Sequence, residues 1–431
     1  MVNIISPNTG AVIGEWTPDS GARIGAVLNG LPRAMTGLAV PETRRAILSA
    51  AITALDRSRE ELAAVIIAEV GKTPAEATDE VDYALGFLHH ALTQVPDPAH
   101  GGGGERRLRV VPAGPVLAIT PYNDPLAGIV RKIAPAIAAG CPVVVKPSAL
   151  GQLTAQTLFD TLASVVPPGA VQMVNHTDRD VLDRLVSDPR FRVLSFTGST
   201  PTGMALASRA GLKRLVLELG GNNPFLVLEG ADLDRAAADA VARKTRAAGQ
   251  ACSAQNRIYV VASLFDAFRA RFLDRLSALT FGASDGGVGM GPVRSARDLA
   301  RLGALALGGQ TFGTCTAPAP LAFGPTVLGD DTPLRHAEAF GPLVSLCSVP
   351  DRAAALALAA EEEQALVCYL YGEVSPAELA PLRFGSLGIN STRIQGAEVP
   401  TGGFGTAGIG REGGEWGLQE FQTTINERWG T

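Results

Sequence analysis

The chain has 431 residues, 46% of them hydrophobic and 18% charged, a balance that suits a folded globular protein too long for a single core. Its formal charge of −5 and pI near 5.7, with no basic stripe interleaved with aromatics, argue against a nucleic-acid surface, which needs concentrated positive charge. The five cysteines are widely spaced and form no CxxC pair, which points to a reducing compartment rather than a disulfide framework. The five histidines form no pair at metal-ligand spacing, so no metal is expected. The N-terminus lacks a basic segment leading into an apolar run, and apolar runs such as Val143-Val144-Val145 are too short to span a bilayer. A cytoplasmic chain with no membrane partner is therefore expected.

In chain order, MVNIISPNTGAVIGEW predicts a strand, a turn at 7–10 and a second strand. Residues 43–92 carry helical periodicity broken at Gly71, and Ser58 followed by Glu60 and Glu61 marks a helix start. Residues 95–107, VPDPAHGGGGERR, form the clearest break, a linker rather than a phosphate loop, because the GxxxxGKS arrangement is absent. From Leu108 the chain alternates short apolar strands with helices, which predicts a parallel sheet covered on both faces, with ligands beyond the carboxyl ends of its strands. A second unit begins near Leu215, with a helix from 234 to about 248, a turn carrying Cys252, and the strand RIYVV. The glycine-rich closing region ends in FQTTINERW, a strand expected to pair with another element or another subunit.

Two turns suit a dinucleotide. Gly198-Ser199-Thr200-Pro201-Thr202-Gly203 follows a strand and precedes a helix, so its backbone can approach a pyrophosphate at a helix N-terminus. Lys146, at the end of the strand CPVVV and followed by Pro147-Ser148, is placed to reach ribose hydroxyls or a phosphate. A plain tight turn and a snorkelling strand-end lysine are the competing readings. For chemistry, Cys252 sits in a turn after a helix, where thiolate character can be raised. Glu218 ends the strand LVLE ahead of two glycines and can activate water. Asn123, in TPYNDP, can aim its amide at a developing oxyanion. Against these stand a buried inert cysteine, a surface glutamate and an Asx-turn asparagine. Cys141, Cys315 (in a loop), Cys347 and Cys368 read as bystanders.

TPYNDP, KPS, FTGSTPTG, ELGGNNP, GQACSAQNR, PTVL, EAFGP, LGIN and GGFG, in this order, give a chain that resembles the aldehyde dehydrogenase superfamily over nearly its whole length. The resemblance implies an α/β fold with a Rossmann-like cofactor domain (1–92 and 113–217), an α/β catalytic domain (218–414) and a small β oligomerisation element (93–112 and 415–431). It implies Cys252 as nucleophile, Glu218 as general base, and an oxyanion hole of Asn123 and the Cys252 N–H. It assigns Lys146, Ser148, Gly198, Ser199, Gly203, Glu338 and Phe340 to the cofactor, NAD or NADP. The chain departs from the family at Ala149, where a ribose-binding glutamate is common, so NADP is plausible. It departs again at Asp124, beside the catalytic asparagine, where the family usually has an apolar or aromatic residue. That carboxylate can repel acidic substrates, bind a hydroxyl or amine, or turn to a local backbone N–H.

The expected function is oxidation of a small-molecule aldehyde to a carboxylic acid through a cysteine thiohemiacetal and thioester, hydrolysed by glutamate-activated water. A coenzyme-A-acylating or phosphorylating reductase, and a non-catalytic partner-binding protein, are the alternatives. The shortened glycine region favours a homodimer, with a tetramer as the other option.

Overall fold

The computed structural model describes residues 1–96, 100–101, 106–329, 333–335 and 337–429; the rest of the glycine-rich break at 95–107 lies outside them. Two sheets organise the chain. The first has six strands in the order Gly408–Ile409, Arg214–Glu218, Val193–Thr197, Val116–Ile119, Val143–Lys146 and Val171–Met173, parallel except for the first. Its central strands are runs of Val, Leu and Ile buried on both faces, as a helix-covered parallel sheet requires. On one face lies Ala127–Ala139, every residue of which is buried, and on the other Gly21–Gly37 contributes Ile24, Val27, Leu28 and Leu31. The chain winds outward from Val116–Ile119 first through 143–173 and then through 193–218. The crevice where the order reverses therefore opens beyond residues 119, 146, 197 and 218.

The second sheet has seven strands in the order Gln310–Thr311, Thr326–Leu328, Leu343–Val349, Gln255–Val261, Asn223–Val227, Val367–Tyr371 and Ser386–Ile389. All but the first are parallel. Gln422–Arg428 pairs antiparallel with Arg106–Pro112, which also pairs with His100–Gly101, so the closing strand finds its partner within the chain. Leu108, Val110, Ile425 and Trp429 are exposed around this small sheet. No helix among the described residues is long and apolar enough to cross a membrane.

Several local expectations are corrected. The helix Gly21–Gly37 has no counterpart in the sequence reading: Gly25, Gly30 and Pro32 interrupt its pattern, while Ser20 caps it by accepting the Arg23 N–H at 3.2 Å. The helix start expected at Ser58 and the break at Gly71 are both present, and residues 43–92 fall into three helices, Pro41–Arg57, Arg59–Val70 and Pro74–Thr93. Ser58 starts the second of these without a side-chain cap bond. Cys315 lies in the exposed strand Thr314–Ala317, not in a loop. The helix expected to reach about 248 ends at Thr245, where Ala247 and Ala248 turn left-handed.

The seven-stranded sheet is locked by Phe225, fully buried and stacked on Tyr371 with ring centroids 4.8 Å apart. Phe225→Ala removes this ring from a site with no solvent access and is expected to cost about 3–5 kcal/mol, read as a lowered urea midpoint.

Candidate active site

Cys252 is delivered by strained backbone. After Leu233–Thr245 the residues Ala247 (φ 49°), Ala248 (φ 52°) and Gly249 (φ 68°) are all left-handed, a geometry that costs alanine roughly 1–3 kcal/mol each. The kink is tied down from outside: the Ala247 N–H donates to Glu76 Oε1 at 2.7 Å, while Glu76 Oε2 accepts from the Thr73 N–H at 2.9 Å in a capping box. Gly249 is required there, since a Cβ would lie 2.3 Å from the Gly341 carbonyl oxygen. On the far side of the turn, Asn223 Nδ2 donates to the carbonyls of Cys252 (2.7 Å) and Ala254 (2.9 Å), and its Oδ1 accepts from the Val367 N–H at 3.0 Å. The run Gly220-Gly221-Asn222-Asn223 thus forms the floor under the cysteine.

The Cys252 thiol faces Glu218 Oε1 at 3.6 Å. The other oxygen of Glu218 meets Arg131 Nη2 at 2.6 Å; Arg131 Nε meets Glu412 Oε2 at 2.6 Å, and Lys132 pairs with the second Glu412 oxygen. Lys132 also donates to Ser195 Oγ at 3.0 Å. All four charged side chains are at most 6% exposed. Burial pushes Glu218 up to about 7; Arg131 opposes the rise and the Glu412 charge adds to it. Glu412 is held down at about 2, because Arg131 and Lys132 outweigh its own burial. Burial, and then the Glu218 charge, push the Cys252 thiol well above its ordinary value. The thiol therefore needs a base, and the group in contact with it changes charge near neutrality.

Asn123 follows the strand Val116–Ile119 and is 7% exposed, and its side chain has no hydrogen-bond partner among the described residues. It lines a cavity of about 10 Å³ with Lys72, Tyr122, Ala247 and Gln250, and so faces the turn that carries Cys252. Its neighbour Asp124 turns to a lysine side chain, not to the local backbone N–H that was one of its expected courses. Asp124 Oδ1 meets Lys72 Nζ at 2.6 Å, and Lys72 also pairs with Glu80 Oε2 at 2.7 Å. Glu80 Oε1 in turn accepts the Leu126 and Ala127 N–H groups at 2.9 and 3.1 Å, so this chain of bonds clamps the loop and the start of the next helix. Although burial opposes it, Lys72 holds Asp124 down at about 2.

Of the residues expected to hold the cofactor, Lys146, Ser148, Gly198, Ser199 and Gly203 lie at or beyond the ends of two strands of the first sheet that flank Val116–Ile119. Lys146 closes Val143–Lys146, and burial lowers its ammonium below the usual range. Ser148 spends its hydroxyl capping the turn Ala149–Gly151, accepting the Leu150 N–H at 3.2 Å. Gly198 and Gly203 keep the next turn open: Cβ atoms there would fall 2.5 Å from the Phe196 ring and 2.3 Å from Leu219 Cδ2. Ser199 donates to Thr202 Oγ1 at 2.9 Å and leaves the first N–H groups of Thr200–Ala207 without a side-chain cap. Glu338 Oε2 would lie 2.2 Å from a Cβ on Gly220, and its buried Oε1 has no partner among the described residues. Burial brings Glu338 up to about 7 and the buried Lys244 ammonium down to about 7. Phe340 is held at φ 42° by Arg301, which donates to the carbonyls of Ala339 (2.5 Å) and Phe340 (3.1 Å); its ring meets Tyr122 edge-on at 6.1 Å. An orphaned carboxylate oxygen that can accept a ribose hydroxyl and an uncapped glycine turn that can hold a pyrophosphate fit a nicotinamide dinucleotide.

Sequence reasoning missed Arg131, Lys132, Glu412 and Lys72. The first two were visible as adjacent charges within the apolar run PLAGIVRKIAPAIAAG; Glu412, inside a glycine-rich segment, gave no signal. No cluster of His, Cys, Asp and Glu suited to a metal occurs among the described residues. Glu412→Gln leaves Lys132 without its ion pair and removes the charge that raises Glu218. Two outcomes are expected. The acid limb of Cys252 alkylation by iodoacetamide moves to lower pH, and the protein loses about 3 kcal/mol of stability to urea.

With this geometry in place, comparison with known proteins is direct. Residues 1–426 match the model of the aldehyde dehydrogenase family. The chain is 36% identical to a succinate-semialdehyde dehydrogenase of Paenarthrobacter nicotinovorans, over 89% of this chain and 91% of that protein. It is 33% identical to the NADP(+) succinate-semialdehyde dehydrogenase GabD of Escherichia coli K12, over 97% and 94%. The crystal structure of an E. coli NADP-dependent enzyme superposes with a TM-score of 0.92 at 32% identity, covering 100% of this chain and 95% of that one. The chain belongs to the aldehyde dehydrogenase family, enzymes that oxidise an aldehyde with NAD(P)+ through a covalent cysteine intermediate.

Proposed function

We propose that Cys252 is the nucleophile, Glu218 the base, and Asn123 with the Cys252 N–H the oxyanion hole. The observation that carries this reading is the thiol of Cys252 facing Glu218 Oε1 at 3.6 Å, with Asn123, which has no side-chain partner among the described residues, lining a cavity against Ala247 and Gln250 of the same turn. Glu218, ionised, takes the thiol proton, and the sulfur adds to the aldehyde carbon to give a thiohemiacetal. Asn123 Nδ2 donates to the oxygen that gains charge. Accepting the hydride from that carbon is the chemistry a bound nicotinamide would supply, and the acyl group would then remain on Cys252 as a thioester. Glu338 Oε1 would hold the ribose beside it, the Phe340 ring would pack against the nicotinamide, and the 198–203 turn with Lys146 would hold the far half of the dinucleotide. Once Glu218 has passed the thiol proton to solvent it takes a proton from water, whose oxygen attacks the thioester; the C–S bond breaks, the acid leaves, and Glu218 returns a proton to the sulfur. Arg131, fixed by Glu412, keeps the carboxylate aimed at the sulfur through both proton transfers.

For the substrate we propose a short semialdehyde with a carboxylate at its far end. Arg246 lies on the turn leading to Cys252, is 42% exposed, and among the described residues is held only by a surface pair with Asp79 at 3.3 Å, which releases it at little cost. The two relatives named above act, by their names, on succinate semialdehyde. NADP is the proposed cofactor: Ala149 beside Lys146 and Ser148 sets no carboxylate against a 2′-phosphate, and two of the proteins above carry NADP in their names. The protein would work in the cytoplasm as a homodimer joined through the Arg106–Pro112 and Gln422–Arg428 sheet, with Leu108, Val110 and Ile425 at hand. The domain division stays as 1–92 and 113–217 for the cofactor, 218–414 for catalysis, and 93–112 and 415–431 for assembly.

Three variants separate the roles. Cys252→Ser is expected to abolish turnover. Glu218→Gln is expected to slow or stall after the acyl group is formed, giving at most one equivalent of reduced cofactor in a burst. Asn123→Ala is expected to lower kcat by about 100- to 1000-fold. In the intact enzyme kcat should rise with pH through about 7, where Glu218 ionises, and strong activity in Cys252→Ser overturns the assignment.

With the intact enzyme, kcat/KM for 4-oxobutanoate should exceed that for butanal, and NADP should serve at least as well as NAD. The reverse order for the aldehydes discards the semialdehyde reading.

A further inference from the structure

Lys244 takes no part in the steps proposed above, yet it is a buried cation among the residues around Glu338. It lies in the last turn of the helix Leu233–Thr245 and is 2% exposed. Its ammonium has three N–H donors, and among the described residues its one hydrogen-bond partner is Asn256, whose Oδ1 accepts from Nζ at 3.2 Å. Asn256 is buried as well, and its amide reaches both segments that hold the Glu338 carboxylate. Oδ1 also accepts the Ala339 N–H at 3.3 Å, and Nδ2 donates to the Gly221 carbonyl at 3.3 Å. Glu338 directly precedes Ala339 and rests with Oε2 against Gly220, which has no side chain to bar it. One amide thus ties the ammonium to the strand-end glycines on one side and to the carboxylate's own segment on the other. Arg301 is the other charged side chain that acts on both groups, and its guanidinium is already engaged by the Ala339 and Phe340 carbonyls and by Asp298.

We infer that Lys244 is a positioning residue for the cofactor, an inference that rests on the ribose role proposed for Glu338: its ammonium keeps Glu338 in the anionic form that accepts ribose hydroxyls, and Asn256 holds the two in register. A buried carboxyl with no cation at hand keeps its proton, and a protonated carboxyl offers a ribose one acceptor fewer. A buried ammonium with a single hydrogen bond is unfavourable by itself, and each of these groups is tolerated because of the other. Burial alone works against both charges, since it raises Glu338 to about 7 and lowers Lys244 to about 7. Ribose hydroxyls that donate to Glu338 favour its anion, and the anion in turn favours the protonated lysine. The lysine therefore sets the pH range over which the cofactor is held, without touching it.

The test is NADPH binding to the full chain, followed by fluorescence titration from about pH 6 to about pH 9, in the intact protein, in Lys244→Met and in Glu338→Gln. Near neutral pH, Lys244→Met should bind NADPH about tenfold more weakly, because Glu338 then keeps its proton. At about pH 9 the carboxyl ionises unaided and the intact lysine has lost its own proton, so the two affinities should converge. Glu338→Gln should bind weakly at every pH. Equal affinity of Lys244→Met and the intact protein near neutrality, or a deficit that stays constant with pH as a merely structural role would give, overturns the inference. Should Lys244→Met not fold, the intact protein decides: its affinity should level off by about pH 8, and an affinity still climbing at about pH 9 overturns the inference. Weak binding by Glu338→Gln beside unaltered Lys244→Met removes the role of Lys244 alone. Full binding by Glu338→Gln removes the ribose role of Glu338, and that of Lys244 with it.

Discussion

Arg131 is the constraint on which the site depends. A single guanidinium on a fully buried helix contacts one carboxylate from the end of the strand Arg214–Glu218 and another from the glycine-rich segment after Ile409. Two anions this close, away from water, would not both stay ionised without it. With Arg131 and Lys132 present the two carboxylates separate: Glu412 remains an anion far below neutrality while Glu218 is carried up to the pH at which the cell works. The same pairing resolves the difficulty of the cysteine. A thiol buried next to a carboxylate is a poor nucleophile by itself, and in the proposed role it becomes useful only because its neighbour can take the proton.

The backbone around the sulfur follows a similar logic. Three successive left-handed residues place Cys252, and Glu76, Asn223 and the close approach of Gly341 hold them there. The strain is local; the bonds that hold it come from a helix near the N-terminus and from strands of the second sheet. Phe340, also left-handed, is set by Arg301 in the same way. On both sides of the reaction centre, position is bought with conformations that side chains from distant segments stabilise.

Much of this was legible in the sequence. The strand-end residues Asn123, Lys146, Gly198 and Glu218 could be read from short apolar runs followed by glycine, proline or asparagine, since a parallel sheet gathers such ends at one edge. The α/β fold and the family followed from the order of the motifs. What could not be read was the pairing of charges. Lys132 and Glu412 are 280 positions apart, and no periodicity or turn signal connects such residues. The Lys72–Asp124 bond spans 52 positions and was hidden likewise, leaving Asp124 as an unexplained departure. The helix Gly21–Gly37 was obscured for a different reason: its glycines and proline break the local pattern, and packing against the sheet overrides them.

The antiparallel pairing of Gly408–Ile409 with Leu217 and Glu218 has a consequence for how the enzyme comes into being. That strand threads the last part of the chain back along the edge of a sheet whose other members are complete nearly two hundred residues earlier, and it brings Glu412 beside Arg131. Until the segment with Glu412 has been made, Arg131 and Lys132 lack their common counterion. Arg131, Glu218 and Cys252 are thus all made before Glu412, and the charge that helps to raise Glu218 is the last of the four to join.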